Sequence, residues 1–246
     1  MIDLEKGGVI LLNKPYEWTS FQAVNKVKYL LKHYYDLKKV KIGHAGTLDP
    51  LATGLLILCI GKYTKKIEEY QAQEKEYTGT FYLGATTPCF DKEKEIDNYY
   101  PTEHITEEDI YKAAEHFLGE QEQVPPVFSA LKVNGVRAYA FARENKDVEL
   151  KSRKITIKEF EITRIAMPEI DFRIVCSKGT YIRTLCADIG EKMGFGACMG
   201  ELVRTKSGKF LLEESYSVEE IEKMALCGRL SELVIPTDKL FEGYTP

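Results

Sequence analysis

No apolar run in this 246-residue chain reaches the roughly 20 residues needed to cross a bilayer, so a membrane span is excluded. The N-terminus lacks a basic start and a small-residue cleavage site. Met1 to Leu12 runs acidic and then apolar, and no signal peptide is expected. The six cysteines, at 59, 89, 176, 186, 198 and 227, contain no CxxC pair and are scattered through apolar segments. That pattern denies a zinc ion its ligand spacing and reads as small buried thiols in a reducing cytoplasm. An excess of positive charge is missing too: the formal net charge is -4. There is no internal repeat, low-complexity segment or obvious linker, so one domain is the default. The phosphate-loop patterns GxxxxGK[ST] and GxGxxG are both absent.

What remains is the composition of an ordinary globular protein, 44% hydrophobic and 29% charged. Its charges are segregated. Lys26, Lys28 and Lys32 are followed by Lys38, Lys39 and Lys41, then by Lys62, Lys65 and Lys66. "KSRK" spans 151–154 and "RTKSGK" spans 204–209, while acids gather at 91–109 and 213–222. Such segregation permits a local cationic groove on an acidic protein, and solvated faces fit it equally.

Periodicity supplies the elements. Val9–Leu12 is a short strand stopped by Asn13-Lys14-Pro15. Thr19 with Gln22 forms a capping box before a helix over 20–34, with Phe21, Val24, Val27, Leu30, Leu31 and Tyr34 at helical spacing. Leu55–Ile60, between Gly54 and Gly61, suits a strand covered on both faces. Tyr77–Leu83, Ile155–Ile165 and Ile170–Cys176 are strand-like. Thr106 starts a helix carrying Ile110, Ala113, Ala114, Phe117 and Leu118, which Gly119 ends. Residues 120–150 are mixed. Ile182, Leu185, Ile189 and Met193 mark another helix, and Ser217 with Glu220 caps a last short one. Strands and helices mix without regular alternation, giving an α+β fold around a central, mixed, mostly antiparallel sheet.

The stretch "GHAGTLDPLATG" (43–54) concentrates glycines around one carboxylate, Asp49. No second acid follows before Glu68, so neither a phosphatase-type pair nor a glycosidase pair is visible locally. By residue type alone, Asp49-Pro50 suits the first two positions of a type I turn, and His44 suits a structural histidine beside glycines.

The larger constellation shifts that balance. "GGVILLNKPYEWTSF" (7–21) and "GHAGTLDPLATGLLILCIGKYTK" (43–65) precede "KEYTGTFYLGATT" (75–87) and "VPPVFSALKVNGVRAYAFAR" (124–143). "CSKGTYIRTLCADIG" (176–190) and "LVRTKSGKF" (202–210) follow. In that order the chain resembles the bacterial tRNA pseudouridine synthase B family, over roughly residues 7 to 210. The resemblance implies a pseudouridine-synthase-like fold, with the T-loop uridine at tRNA position 55 as target. It implies Asp49 as nucleophile, Arg183 as the cation that pairs with it, and Tyr77 as the aromatic face beneath a flipped base. Tyr181 and Leu202 would line the nucleotide pocket, His44 would enter the space the base leaves, and Lys14-Pro15 would pack beneath the site. The reaction gains no group and changes no oxidation state, so neither a cofactor nor a metal is expected.

A catalytic domain over 1–210 and a short helical extension over 211–246 are expected. That extension is too short for the RNA-binding barrel many family members carry. The resemblance further implies tRNA, through its T-arm, as partner, a cytoplasmic monomer, no membrane and no obligate protein partner. The alternatives are a tRNA-folding chaperone or RNA-binding module with secondary catalysis, and a guide-RNA-dependent synthase.

Overall fold

The computed structural model describes residues 7–35, 39–129, 131–133, 135–143 and 148–235. Lys38 of the second basic cluster and residues 236–246 of the expected extension lie outside the described residues. The strands in chain order are β1 (Gly8–Lys14), β2 (Ile42–His44), β3 (Thr53–Ile60), β4 (Lys75–Leu83), β5 (Ala85–Thr86), β6 (Asn98–Tyr99) and β7 (Gly119–Gln123). They continue with β8 (Lys132–Val133), β9 (Val136–Arg137), β10 (Arg153–Ala166), β11 (Glu169–Cys176), β12 (Ala197–Ser207) and β13 (Phe210–Leu211). The α-helices are α1 (Ser20–Tyr34), α2 (Ile67–Gln71), α3 (Glu107–His116), α4 (Ala138–Arg143), α5 (Ile182–Met193) and α6 (Val218–Leu226). Two compact units form: residues 1–73 with 203–246, and residues 74–202. The division falls inside β12.

In the first unit, β1 runs antiparallel to β3, from Gly8 opposite Ile60 to Lys14 opposite Gly54. The other edge of β3 is shared. β2 pairs with residues 58–60, and β12 runs parallel to Thr53 and Gly54. β3 is apolar throughout because both its faces are buried. Leu56, Leu58 and Ile60 pack with α1 and α6, whereas Leu55, Ile57 and Cys59 pack with Val9, Leu11, Tyr63 and Phe210.

The expected capping boxes at Thr19–Gln22 and Ser217–Glu220 are both present. Phe21, however, is 70% exposed, and the buried stripe of α1 is Ser20, Ala23, Val24, Val27, Leu30 and Leu31. Ser20 holds the core-facing position because its hydroxyl serves the loop before β3, and Phe21 is thereby turned outward. Five cysteines are buried as expected; Cys227, at the end of α6, is exposed.

Gly54 illustrates how tightly β3 and β12 approach. It has φ +99°, and a Cβ there would lie 2.5 Å from the carbonyl oxygen of Arg204. Gly54→Ala is expected to cost roughly 3 kcal/mol, since strain and clash act together. Gly228→Ala, at φ +68° in open space, is expected to cost only about 1 kcal/mol. Denaturant midpoints of the two variants test the difference.

The second unit orders its strands β12-β4-β11-β10-β7. The β4–β11, β11–β10 and β10–β7 pairs are antiparallel. Phe81 stacks on Phe172 at 4.2 Å, with Phe160 edge-on to both. The fold is therefore α+β with a mostly antiparallel sheet, as the mixed pattern indicated. β7 reads GEQEQ, with no apolar residue to signal a strand, and only Gln123 is buried. β12 is likewise disguised, by Gly200 and by charged residues on a mostly buried strand.

Candidate active site

In the first unit the loop 45–52 joins β2 to β3 and carries Asp49. Asp49 begins a hydrogen-bonded turn: the Ala52 amide donates to its carbonyl at 3.1 Å. The turn expected from Asp-Pro and the display of a carboxylate are therefore one feature. The Asp49 residue is half-buried.

Three buried side chains grip the backbone around it. The Ser20 hydroxyl donates to the Leu48 carbonyl at 3.0 Å and accepts from the Leu48 amide at 2.9 Å. Lys14 Nζ donates to the carbonyls of Pro15 (2.8 Å), Trp18 (2.6 Å) and Pro50 (3.2 Å). Arg204 Nε donates to the Leu55 carbonyl at 2.7 Å, and its Nη2 donates to the Gly46 carbonyl at 3.1 Å. The loop is thus fixed before, within and after Asp49.

Lys14 is fully buried. Burial pulls its pKa from 10.5 down to about 8; Asp49 opposes that shift and Arg204 adds to it. The folded chain therefore binds fewer protons at this site than the unfolded chain between about pH 8 and 10.5. Stability contributed here rises with pH across that window, by up to about 3 kcal/mol, and the penalty is fully present below it. Relative to Lys14→Met, the wild-type chain is expected to gain stability from pH 8 to 10, measured as urea midpoints on both proteins. The third candidate in this unit, His44, lies on β2 opposite Leu58 and is half-buried.

The remaining candidates belong to the second unit. Arg183, on the first turn of α5, is 4% exposed. It donates to the Cys89 carbonyl at 2.7 Å and the Phe128 carbonyl at 3.0 Å, and its Nε faces the Asp91 carboxylate at 3.5 Å. Asp91, also buried, accepts from Cys89 Sγ and from the Glu93 amide, both at 3.0 Å. Tyr181 immediately precedes α5, so it and Arg183 lie together. Tyr77 is buried on β4 opposite Ile174, and Leu202 is buried on β12.

Sequence reasoning missed Arg204, Ser20, Asp91 and Gln123. Arg204 belongs to the basic cluster 204–209, which the sequence leaves open between a cationic groove and a solvated face; it is 1% exposed and donates to two backbone carbonyls. Its two-residue spacing from Leu202 was the available signal, since both occupy buried positions of one strand. Asp91 lay hidden in an acidic stretch.

Two sequence families match. Residues 32–182 match the TruB family pseudouridylate synthase N-terminal domain, and residues 183–242 match the tRNA pseudouridylate synthase B C-terminal domain. A tRNA pseudouridine synthase B of Flavobacterium johnsoniae is 58% identical over 219 residues, covering 89% of this chain and 96% of the relative. One from Clostridium tetani is 40% identical over 237 residues, covering 96% and 78%. Among solved structures, that of a Cbf5–Nop10–Gar1 complex superposes with a TM-score of 0.71 at 27% identity. The match covers 97% of this chain but only 62% of that one. An H/ACA ribonucleoprotein bound to a substrate RNA containing 2′-deoxyuridine gives 0.68 at 26% identity, with the same coverage. Fold and sequence thus define a pseudouridine synthase. The chain belongs to the TruB family of pseudouridylate synthases.

Proposed function

We propose that this chain isomerises the T-loop uridine at position 55 of tRNA to pseudouridine, with Asp49 as nucleophile. The observation that carries the reading is the presentation of Asp49. One half-buried carboxylate sits on a turn whose flanking backbone is held by Lys14, Ser20 and Arg204. A carboxylate fixed in this way can form a covalent bond without first ordering its own loop.

The reaction breaks the N1–C1′ bond, turns the uracil and rejoins it through C5, so the C5 hydrogen leaves as a proton. In this reading Tyr77 supplies the aromatic face for the base, Tyr181 and Leu202 line the nucleotide, and Arg183 supplies a fixed positive charge. His44 contacts the RNA, and Lys14 supports the nucleophile's turn. Flipping the base costs about a few kcal/mol, and stacking on a ring offsets about 1–3 kcal/mol of it. In this reading residues 1–210 form the catalytic part and 211–246 an extension, and the chain acts in the cytoplasm as a monomer.

Incubating the purified chain alone with an unmodified T-stem-loop RNA tests this reading. Chemical labelling and primer extension are expected to map pseudouridine to the position-55 uridine. Product that appears only with an added guide RNA or protein partner would favour the guide-dependent alternative. Binding of the same RNA is expected to weaken roughly tenfold or more between 50 and 200 mM salt, as phosphate-tracking lysines require. Filter binding across that range measures it, and a flat response counts against a cationic groove.

A further inference from the structure

Gln123 and Arg153 face each other across the β7–β10 ladder, and both act on Tyr181. Gln123, 2% exposed, closes a two-point clamp on the Tyr181 backbone. Its side-chain carbonyl accepts from the Tyr181 amide at 2.8 Å, and its amide donates to the Tyr181 carbonyl at 3.0 Å. That carbonyl also accepts the first helical bond of α5, from the Leu185 amide at 3.0 Å. Tyr181 offers no side-chain cap to the helix. A single glutamine therefore fixes the residue at which α5 begins, two positions before Arg183.

Arg153 acts on the ring. Its guanidinium carbon lies 4.7 Å from the Tyr181 ring centroid. Its Nε and Nη2 are buried and have no hydrogen-bond partner among the described residues. Buried guanidinium N–H groups that find no acceptor are costly. Its attraction to the ring face is the favourable contact the structure provides.

We infer that Gln123 and Arg153 are positioning residues that hold Tyr181, backbone and ring, in the orientation that receives the target nucleotide. The inference rests on the reading of Tyr181 as a nucleotide-lining residue. A ring held in place keeps the flipped nucleotide in its reactive orientation, whereas RNA capture rests mainly on phosphate contacts elsewhere, so the effect belongs to turnover at bound RNA more than to RNA capture.

Single-turnover rates at saturating T-stem-loop RNA, with RNA affinity measured separately, test the inference on Tyr181→Leu, Arg153→Met, Arg153→Lys and Gln123→Ala. Circular dichroism melts establish that each variant is folded. Arg153→Met is expected to lower the rate about tenfold, with affinity changed less than about threefold. Arg153→Lys, which restores a cation over the ring, is expected to recover part of the rate. In the Tyr181→Leu background, Arg153→Met is expected to have no further effect, because the ring it acts through is gone. Gln123→Ala is expected to lower the rate in both backgrounds, since it also anchors the start of α5. Full additivity of Arg153→Met with Tyr181→Leu, or a loss confined to affinity, would overturn the inference and leave the role of Tyr181 standing. A Tyr181→Leu enzyme as fast as wild type would instead remove the reading on which it rests.

Discussion

Asp49→Asn is expected to lower pseudouridine formation by at least about a thousandfold while leaving RNA affinity within a few-fold of wild type. The amide is nearly isosteric with the carboxylate. The turn survives because its bond runs through the Asp49 backbone carbonyl, and its supports act on Gly46, Leu48, Pro50 and Leu55. None of those contacts uses the side chain that is replaced. On the proposed reading, what is lost is the charge on the attacking oxygen. Gel-shift affinity and primer-extension product, measured on one preparation, separate the two consequences. An equal loss of both would mean that the substitution had damaged the fold.

The second large effect is on stability. Arg204→Met is expected to destabilise the protein by about 3–5 kcal/mol. Arg204 is among the largest fully buried side chains. Its removal strands the buried Leu55 carbonyl and leaves the part-buried Gly46 carbonyl without this donor, and methionine replaces neither bond. Arg204→Lys keeps a charge but loses the planar fork that reaches two carbonyls at once, so only partial recovery is expected. Urea unfolding of the three proteins measures the series. Activity is expected to fall with stability in Arg204→Met, because Gly46 and Leu55 bracket the loop that carries Asp49. A variant as stable as wild type would show the network around Gly46 to be dispensable.

The fold was legible where periodicity was strong. α1, α3, α5 and α6 and the apolar strand β3 follow from residue spacing and capping signals, except that α3 ends at His116 and Gly119, expected to end the helix, opens β7 instead. The polar edge strand β7 was not legible, because its residues are chosen for what they bind. Gln123 is there for the Tyr181 backbone, and hydropathy has no way to register that. The candidate nucleophile was visible as an anomaly: a dense cluster of glycines and a proline around one acid. Its supports were not. Ser20 looked like an ordinary helix residue and Arg204 like part of a basic surface, because burial depends on partners distant in sequence. Ser20 meets Leu48, and Arg204 meets Gly46. Phe21 shows the converse: helical spacing assigned it to the buried stripe, whereas the core needed a hydroxyl at its neighbour.

The most direct test of the central claim, that the Asp49 carboxylate starts the isomerisation, is tritium release from a T-stem-loop RNA labelled at C5 of its position-55 uridine. Making the new carbon–carbon bond expels that hydrogen to water. The wild-type chain is expected to release the label fully, and Asp49→Asn to release none above background while still binding the RNA. Release by Asp49→Asn at the wild-type rate would contradict the account.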